Sequence, residues 1–113
     1  MADDEAFESW CSQVRKGLLE LALLTRLARG RAYGYELVAG LKRHPAFADL
    51  VEGTIYPVLA RLKGDGYLDA EWVAADGGPA RKYYSITKSG RAMLRRMTDR
   101  WAEIQSALSG SGS

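Results

Sequence analysis

Hydrophobic positions at helical spacing mark the first long segment of the chain, from about residue 5 to residue 28. Phe7, Trp10, Val14 and Leu18 recur three or four residues apart, which predicts an apolar stripe along one helix. From residue 18 to residue 27 apolar residues lie on all sides, and a helix of that kind is buried all round. We predict a helix whose second half lies in the core and whose first half faces another surface.

Two shorter helices are predicted between residues 34 and 64. Residues 34–42 carry apolar side chains at helical spacing, and Pro45 ends this helix because the residue before a proline avoids helical backbone angles. Pro57 has no backbone N–H and is tolerated in the first turn of a helix. The next helix is therefore predicted to begin at Gly53 or Thr54 and to end at the glycines that follow residue 63.

Alternation replaces helical spacing after residue 66. Leu68, Ala70 and Trp72 alternate with Asp69, Glu71 and Val73, which predicts a half-buried strand. The Asp-Gly-Gly-Pro segment at 76–79 predicts a turn, and residues 81–86 predict the returning strand. On this strand we expect Tyr84 and Ile86 to point inward, and Tyr83 to point outward with Arg81.

The last predicted helix begins at a cap formed by Thr87 or Ser89 and runs to about Leu108. Its apolar residues are spaced alternately three and four apart, as in the heptad seam of a helix that packs against another long helix. They are Leu94, Met97, Trp101, Ile104 and Leu108. Two heptads are too few for an independent coiled coil, so we expect the seam to pack against the Phe7–Val14 stripe of the same or a partner chain.

The order of elements is therefore helix, helix, helix, hairpin, long helix. We predict a mainly α fold with a small β-hairpin wing. Residues 5–86 form a winged helix-turn-helix unit that includes the N-terminal helix, residues 87–108 a C-terminal dimerisation helix, and residues 109–113 a flexible tail. In such a unit the second helix of the helix-turn-helix is placed to enter the major groove of DNA.

Charge is segregated along the chain although the formal net charge of the 113 residues is only +2. Residues 25–44 and 87–101 each carry five basic side chains against one acidic, whereas residues 1–24 carry five acidic and two basic. A face that binds a polyanion needs such segregation, although solvated helix faces also produce it.

Several functional classes are excluded by what the sequence lacks. A single cysteine, Cys11, excludes an internal disulfide and a multi-cysteine metal site, and it fits a reducing compartment. The longest apolar stretch, residues 18–24, is too short to cross a bilayer, and the acidic N-terminus has the wrong sign for a secretory signal. Phosphate-binding glycine loops and nucleophile elbows are absent. We expect a cytoplasmic protein that is not an enzyme, with no cofactor, metal or membrane partner.

Four separated motifs carry a family resemblance that covers about residues 14–90. They are Lys-Gly-Leu-Leu-Glu at 16–20, Tyr-Gly-Tyr-Glu-Leu at 33–37, Gly-Thr-Ile-Tyr-Pro-Val-Leu-Ala-Arg-Leu at 53–62 and Gly-Gly-Pro-Ala-Arg-Lys-Tyr-Tyr-Ser-Ile-Thr at 77–87. In this order they closely resemble the PadR family of winged-helix repressors. The length resembles the short subfamily, which has a single C-terminal dimerisation helix. The resemblance implies a two-fold dimer on duplex DNA, with the 53–62 segment opening the recognition helix and the 77–87 segment forming the wing.

Candidate DNA contacts are polar, basic or backbone-exposing residues of the helix-turn-helix and the wing. Arg61 is our first choice for a base or phosphate contact, because guanidinium is the commonest reader of guanine, although it could equally pair with Asp65 one helical turn later. The candidates are Tyr33, Tyr35, Thr54, Tyr56, Pro57, Arg61, Lys63, Gly78, Arg81 and Lys82.

A dimer interface and an effector site are expected at the two terminal helices. Some members of the short subfamily bind flat aromatic drugs between paired tryptophans at the dimer centre, and Trp101 lies on the seam here. The expected effector, a small planar aromatic molecule, would contact Trp101, Met97, Trp10 and Val14. The expected dimer interface comprises Phe7, Trp10, Leu94, Met97, Trp101, Ile104 and Leu108. Plain interface packing is the alternative role for Trp101.

A second function remains open at this stage, namely a winged helix that binds another protein and no DNA. Residues 54–82 carry four basic and four acidic side chains, so this span is close to neutral. The sequence leaves undetermined the operator, the regulated genes, the effector and whether the protein represses or activates.

Overall fold

The computed structural model describes residues 2–110, and within them it confirms the mainly α fold with a wing. A short 3₁₀ turn, Pro45–Phe47, follows the second helix. The helices and strands are α1 (Ala2–Leu27), β1 (Ala32–Tyr33), α2 (Gly34–Lys42), α3 (Glu52–Gly64), β2 (Leu68–Ala75), β3 (Gly78–Ile86) and α4 (Lys88–Ser109).

Helix α1 begins at Ala2, earlier than predicted, and ends at Leu27. Its first turn carries Asp3, Asp4 and Glu5, and carboxylates near a helix N-terminus are stabilised by the helix dipole. In the second half of the helix four leucines are buried, at positions 19, 23, 24 and 27. The prediction that this half lies in the core is confirmed.

Helix α2 has the predicted bounds, and α3 begins one residue earlier than predicted, at Glu52. Pro57 consequently lies in the second turn of α3, so the prediction that it marks the first turn is wrong. Proline removes one backbone hydrogen bond near the start of the helix, and burial of Ile55, Leu59 and Leu62 against the core holds the helix together.

The sheet has three strands in the order β1-β3-β2, whereas the sequence predicted a two-stranded hairpin. Strand β1 pairs Ala32 with Tyr84 and Tyr33 with Tyr83, and two residues are too few to show an alternating pattern. The turn is confined to Asp76 and Gly77, so Gly78 and Pro79 belong to β3 and not to the predicted turn. Gly77 has a φ of 71°, in the left-handed region that favours glycine.

The inner face of the sheet closes the core. Leu68 and Tyr84 are buried there, as predicted, but Trp72 on the same face is 69% exposed. The alternation therefore predicts the face of Trp72 correctly and its burial wrongly. Trp72 lies further along β2 than Leu68 and Ala70 and is not part of the core cluster, so most of its ring stays in solvent.

Helix α4 begins at the predicted cap, because the Thr87 hydroxyl accepts a hydrogen bond from the Gly90 N–H at 3.0 Å. Leu94, Met97 and Trp101 are half-buried, and α4 packs on α1. Gly110, with a φ of 78°, ends the helix. The predicted tail thus begins one residue too early, since Ser109 is still helical, and positions 111–113 lie outside the described residues.

Candidate nucleic-acid interface

One face of α3 is open to solvent and carries small residues along its middle. Gly53, Pro57, Ala60 and Gly64 are exposed there, on the side opposite the buried Ile55, Leu59 and Leu62. At 100° per residue, Tyr56 and Lys63 flank this strip on one side, and Thr54 and Arg61 flank it on the other. A helix whose exposed face has small side chains along its middle and polar side chains on both sides has a shape that fits a major groove.

Tyr56 joins α3 to the beginning of α2. A Cβ atom at Gly34 would lie 2.6 Å from Cε1 and 2.9 Å from the hydroxyl oxygen of Tyr56, so only glycine leaves room for this ring. The close approach fixes the two helices of the helix-turn-helix unit against each other.

Two arginines and three tyrosines form what we call the tyrosine–arginine cluster, at the junction of β1, α2 and the wing. The Tyr33 ring lies edge-on to Tyr83 with 5.4 Å between centroids, and it stacks on Tyr35 at 6.4 Å. Arg81 lies over Tyr33 at 4.6 Å and Arg31 over Tyr83 at 4.7 Å. Cation–π contacts hold both guanidinium groups in place. The N–H groups of Arg81 stay available to phosphate, whereas Arg31 also donates to Glu71.

Local hydrogen bonds and ion pairs complete the cluster. The backbone N–H of Tyr33 donates to the carboxylate of Glu36 at 3.1 Å, which fixes the first turn of α2. Arg31 also pairs with Glu71 at 3.0 Å, in a contact largely exposed to solvent. Tyr35 is mostly exposed, so its hydroxyl is free to meet a ligand.

Lys82 points away from this cluster, on the inner face of the sheet. Its Nζ atom lies 5.9 Å from the ring centroid of Trp72 and 5.7 Å from that of Tyr84. Burial raises the pKa of the Tyr84 hydroxyl above its ordinary value, and the nearby Tyr56 hydroxyl raises this pKa further. Arg81 and Lys82, two adjacent cations of the wing, therefore lie on opposite faces of the sheet.

Arg61 forms an ion pair with Glu20 of α1, and the expected alternative pair with Asp65 is not formed. The Arg61 side chain is 55% exposed and that of Glu20 33% exposed. The pair lies on the α1 side of α3, away from the tyrosine–arginine cluster. Of the other predicted contacts, Pro57, Lys63 and Gly78 are exposed and Thr54 is half-buried.

The profile of the PadR-like transcriptional regulator family matches residues 23–96. A transcriptional regulator of Mycobacterium tuberculosis is 35% identical over 82 residues, which cover 73% of this chain and 74% of that protein. The chain belongs to the PadR-like family of transcriptional regulators. Members of this family regulate transcription through DNA and are not enzymes, as the sequence predicted.

Solved structures of PadR-like regulators share this fold over almost the whole chain. One from Bacillus cereus superposes with a TM-score of 0.79 at 34% identity, covering 87% of this chain and 94% of that one. Another from Eggerthella lenta superposes with a TM-score of 0.83 at 33% identity, covering 97% and 95%. The winged-helix architecture of this PadR-like chain is thereby confirmed.

Two residues near the candidate interface of this PadR-like protein have surroundings that the sequence does not predict. The place of Arg31 over Tyr83 depends on the pairing of β1 with β3, which no local pattern indicates. The position of Trp72 in an alternating strand predicts its face of the sheet but not its exposure.

Trp101 lines three cavities among the described residues, and two of them lie between α1 and another helix. The first, about 560 Å³, lies between α1 and α4, and its lining includes Met97 and Glu20. The second, about 770 Å³, lies between α1 and α2, and its charged lining is basic: Arg26, Arg29, Arg43 and the ionisable His44. Trp10 and Val14, predicted to share the effector site, line neither cavity. Trp10 instead stacks on Phe7 at 6.1 Å, on the outer part of α1.

The part of the chain that the structure describes, residues 2–110, contains no group of three His, Cys, Asp or Glu side chains able to hold a metal ion. Its helices are each too short or too polar to cross a membrane.

Proposed function

We propose that this protein is a homodimeric repressor that acts in the cytoplasm on a pseudo-palindromic operator and is released by a small hydrophobic effector bound beside Trp101. The observation that carries the proposal is the exposed face of α3, where the small residues Gly53, Pro57 and Ala60 form a strip. This face lies next to the tyrosine–arginine cluster. Helix α3 enters the major groove, and the cluster meets the flanking phosphates.

The individual contacts follow from position. Tyr56, Lys63 and Thr54 flank the inserted face of α3 and meet base edges or the groove wall. Arg81, held over the Tyr33 ring just before α2, and the exposed Tyr35 in the first turn of α2 meet a flanking phosphate. Arg61 contacts DNA only at the α1 side of the groove, because its guanidinium is shared with Glu20.

The homodimer is supported by apolar side chains that one chain leaves uncovered on α1 and α4. Phe7 and Trp10 are each 58% exposed, and Ile104 and Leu108 are also exposed. Large apolar residues gathered on two neighbouring helices favour burial against a second copy, with a two-fold axis relating the halves. A dimer on successive turns of one DNA face places its recognition helices about 34–36 Å apart.

Salt dependence tests the DNA-binding part of the proposal. If each subunit makes about four phosphate contacts, the logarithm of the binding constant should fall with the logarithm of salt concentration at a slope of roughly −7. Fluorescence anisotropy with a labelled duplex between about 50 and 200 mM salt measures this slope. A slope near zero would refute the proposal.

The effector part rests on the route from cavity to recognition helix. Glu20 lines the first cavity and holds Arg61 of α3, so a ligand in this cavity acts on α3 through one side chain. Binding of effector and of DNA are then reciprocally coupled. The first cavity mixes acidic and basic groups, whereas the second carries basic ones, so the charge of the effector distinguishes the two.

Tryptophan fluorescence tests the effector site. Planar aromatic compounds of either charge are titrated against the wild type and against Trp101→Ala. We expect quenching that Trp101→Ala removes, together with weaker DNA binding when the compound is present. No quenching by any compound would contradict the effector site and leave the DNA-binding proposal standing.

A protein-binding winged helix is the second candidate, favoured by the near neutrality of residues 54–82. A gel-shift assay with genomic fragments separates the two functions. Retarded fragments support the repressor, and fragments that run freely at all protein concentrations support the second candidate.

A further inference from the structure

Trp72 is a large apolar side chain that the fold itself does not use. It lies on β2 with 69% of its surface exposed, although it belongs to the inner face of the sheet. Leu68 and Ala70 on that face are covered by the core, and Trp72 projects beyond it. Because the ring contributes little to the core, its role must be sought at the surface.

The surroundings of Trp72 lead toward the core beneath α3. Trp72 pairs across the sheet with Lys82, whose Nζ atom lies between the rings of Trp72 and Tyr84. Tyr84 in turn is buried in the core onto which α3 packs through Ile55, Leu59 and Leu62. Trp72, Lys82 and Tyr84 therefore form a row on the inner face of the sheet that runs from the core beneath α3 toward the wing tip.

The charges beside this row favour an anionic partner. Lys82 is the charged residue next to Trp72 on the inner face, and it has no salt bridge among the described residues. The neighbouring carboxylate of Glu71 lies on the outer face, where Arg31 holds it. Asp76 lies further on, in the turn.

We propose that Trp72 is a DNA-positioning residue: its ring lies against the deoxyribose groups of the strand that borders the groove occupied by α3, while Lys82 holds the adjacent phosphate. The inference rests on the proposed DNA-binding function. A deoxyribose surface is apolar and lies between charged phosphates, so it matches a tryptophan beside a lysine. The row begins at the core beneath α3, and tryptophan supplies a large contact area at little entropic cost.

An apolar contact and an ionic contact leave different signatures in salt. Lys82→Ala removes about one phosphate contact from each wing, so the salt slope should become shallower by about 0.9 for each wing. Removing the Trp72 ring frees no counterion, so Trp72→Ala should weaken binding about tenfold at every salt concentration with an unchanged slope. Trp72→Phe keeps an aromatic surface and should recover most of that loss.

The experiment uses the full chain and a labelled duplex of mixed sequence, about 30 base pairs long so that it spans two half-sites. A sugar contact reads no bases, so mixed sequence suffices. Val73→Ala is the matched control, since Val73 is the next residue of the same strand and pairs with Arg81 on the opposite face. Circular dichroism and sedimentation confirm that each variant is folded and keeps the oligomeric state of the wild type.

Three results would overturn the proposal. Trp72→Ala could bind as tightly as Val73→Ala, it could change the salt slope instead of the affinity, or it could change the mass of the protein in solution, which would make Trp72 a protein contact. If the wild type itself binds no duplex, the DNA-binding function fails as well. If the wild type binds the duplex and Trp72→Ala binds it equally well, the role of Trp72 is refuted but the DNA-binding function is not.

Discussion

At the scale of single residues, glycines at close approaches hold this fold together. Gly34 makes room for the ring of Tyr56, and Gly90 for the backbone of Tyr67. A Cβ atom at Gly90 would lie 2.2 Å from the carbonyl oxygen of Tyr67, a group that also accepts a hydrogen bond from the Thr87 N–H. The backbone of Tyr67 cannot move aside for a Cβ atom in the way that a flexible side chain could.

Gly90→Ala should therefore lower the free energy of unfolding by about 1–3 kcal/mol, the usual cost of overpacking a rigid site. Urea unfolding followed by circular dichroism measures the change. Gly53→Ala is the control, because a Cβ atom there meets nothing within 4 Å, and it should stay within about 0.5 kcal/mol of the wild type. Equal stability of both variants would contradict the packing at Gly90.

At the scale of elements, one ion pair links α1 to α3. The sequence offers Asp65, one helical turn later, as an alternative partner to DNA for Arg61, but the Arg61 guanidinium reaches Glu20 instead. Helical spacing predicts partners within a helix and says nothing about a neighbouring helix. The pair joins α3 to the wall of the first cavity, and under the proposed function it would couple DNA binding to whatever fills that cavity.

A double-mutant cycle of Glu20→Gln and Arg61→Ala should give a coupling energy of about 0.2–1 kcal/mol, since both side chains are partly exposed. Thermal or urea unfolding of the two single variants and the double variant supplies the cycle. The same cycle with Asp65→Asn in place of Glu20→Gln should give no coupling. Coupling to Asp65 and none to Glu20 would show that the pair is wrongly assigned.

At the scale of the whole molecule, the two terminal helices leave an apolar surface that the chain cannot cover by itself. Phe7 and Trp10 stack on each other near the beginning of α1, and Ile104 and Leu108 are exposed near the end of α4. Such a surface favours a second copy, and a winged helix reads a pseudo-palindrome only as a dimer. Oligomeric state and DNA binding should thus be lost together.

Ile104→Glu should shift the protein from dimer to monomer, because a charge inside an apolar interface is expensive to desolvate. It should also weaken duplex binding strongly. Analytical ultracentrifugation measures the first effect and fluorescence anisotropy the second. Ala102→Glu introduces the same charge on another side of α4 and should remain dimeric. A monomeric wild type would remove the basis for the dimer.

Much of this protein follows from its sequence alone. Apolar spacing predicted all four helices and the bounds of α2, and Thr87 is one of the two residues predicted to cap α4. Alternation predicted β2 and β3, and the inward side of Tyr84. Four local motifs pointed to the PadR family, which the family match confirms. These features depend on residues only a few positions apart in the chain, so the sequence alone is enough to predict them.

Tertiary structure alone decided what depends on residues distant in sequence. The pairing of β1 with β3 assembled the tyrosine–arginine cluster, the packing of α1 on α3 gave Arg61 its partner, and the edge of the core left Trp72 in solvent. The sequence determined which faces are apolar and which residues are charged. Where a face stops being covered, and which charge meets which, is set by the arrangement of elements in space, and a local pattern contains no record of it.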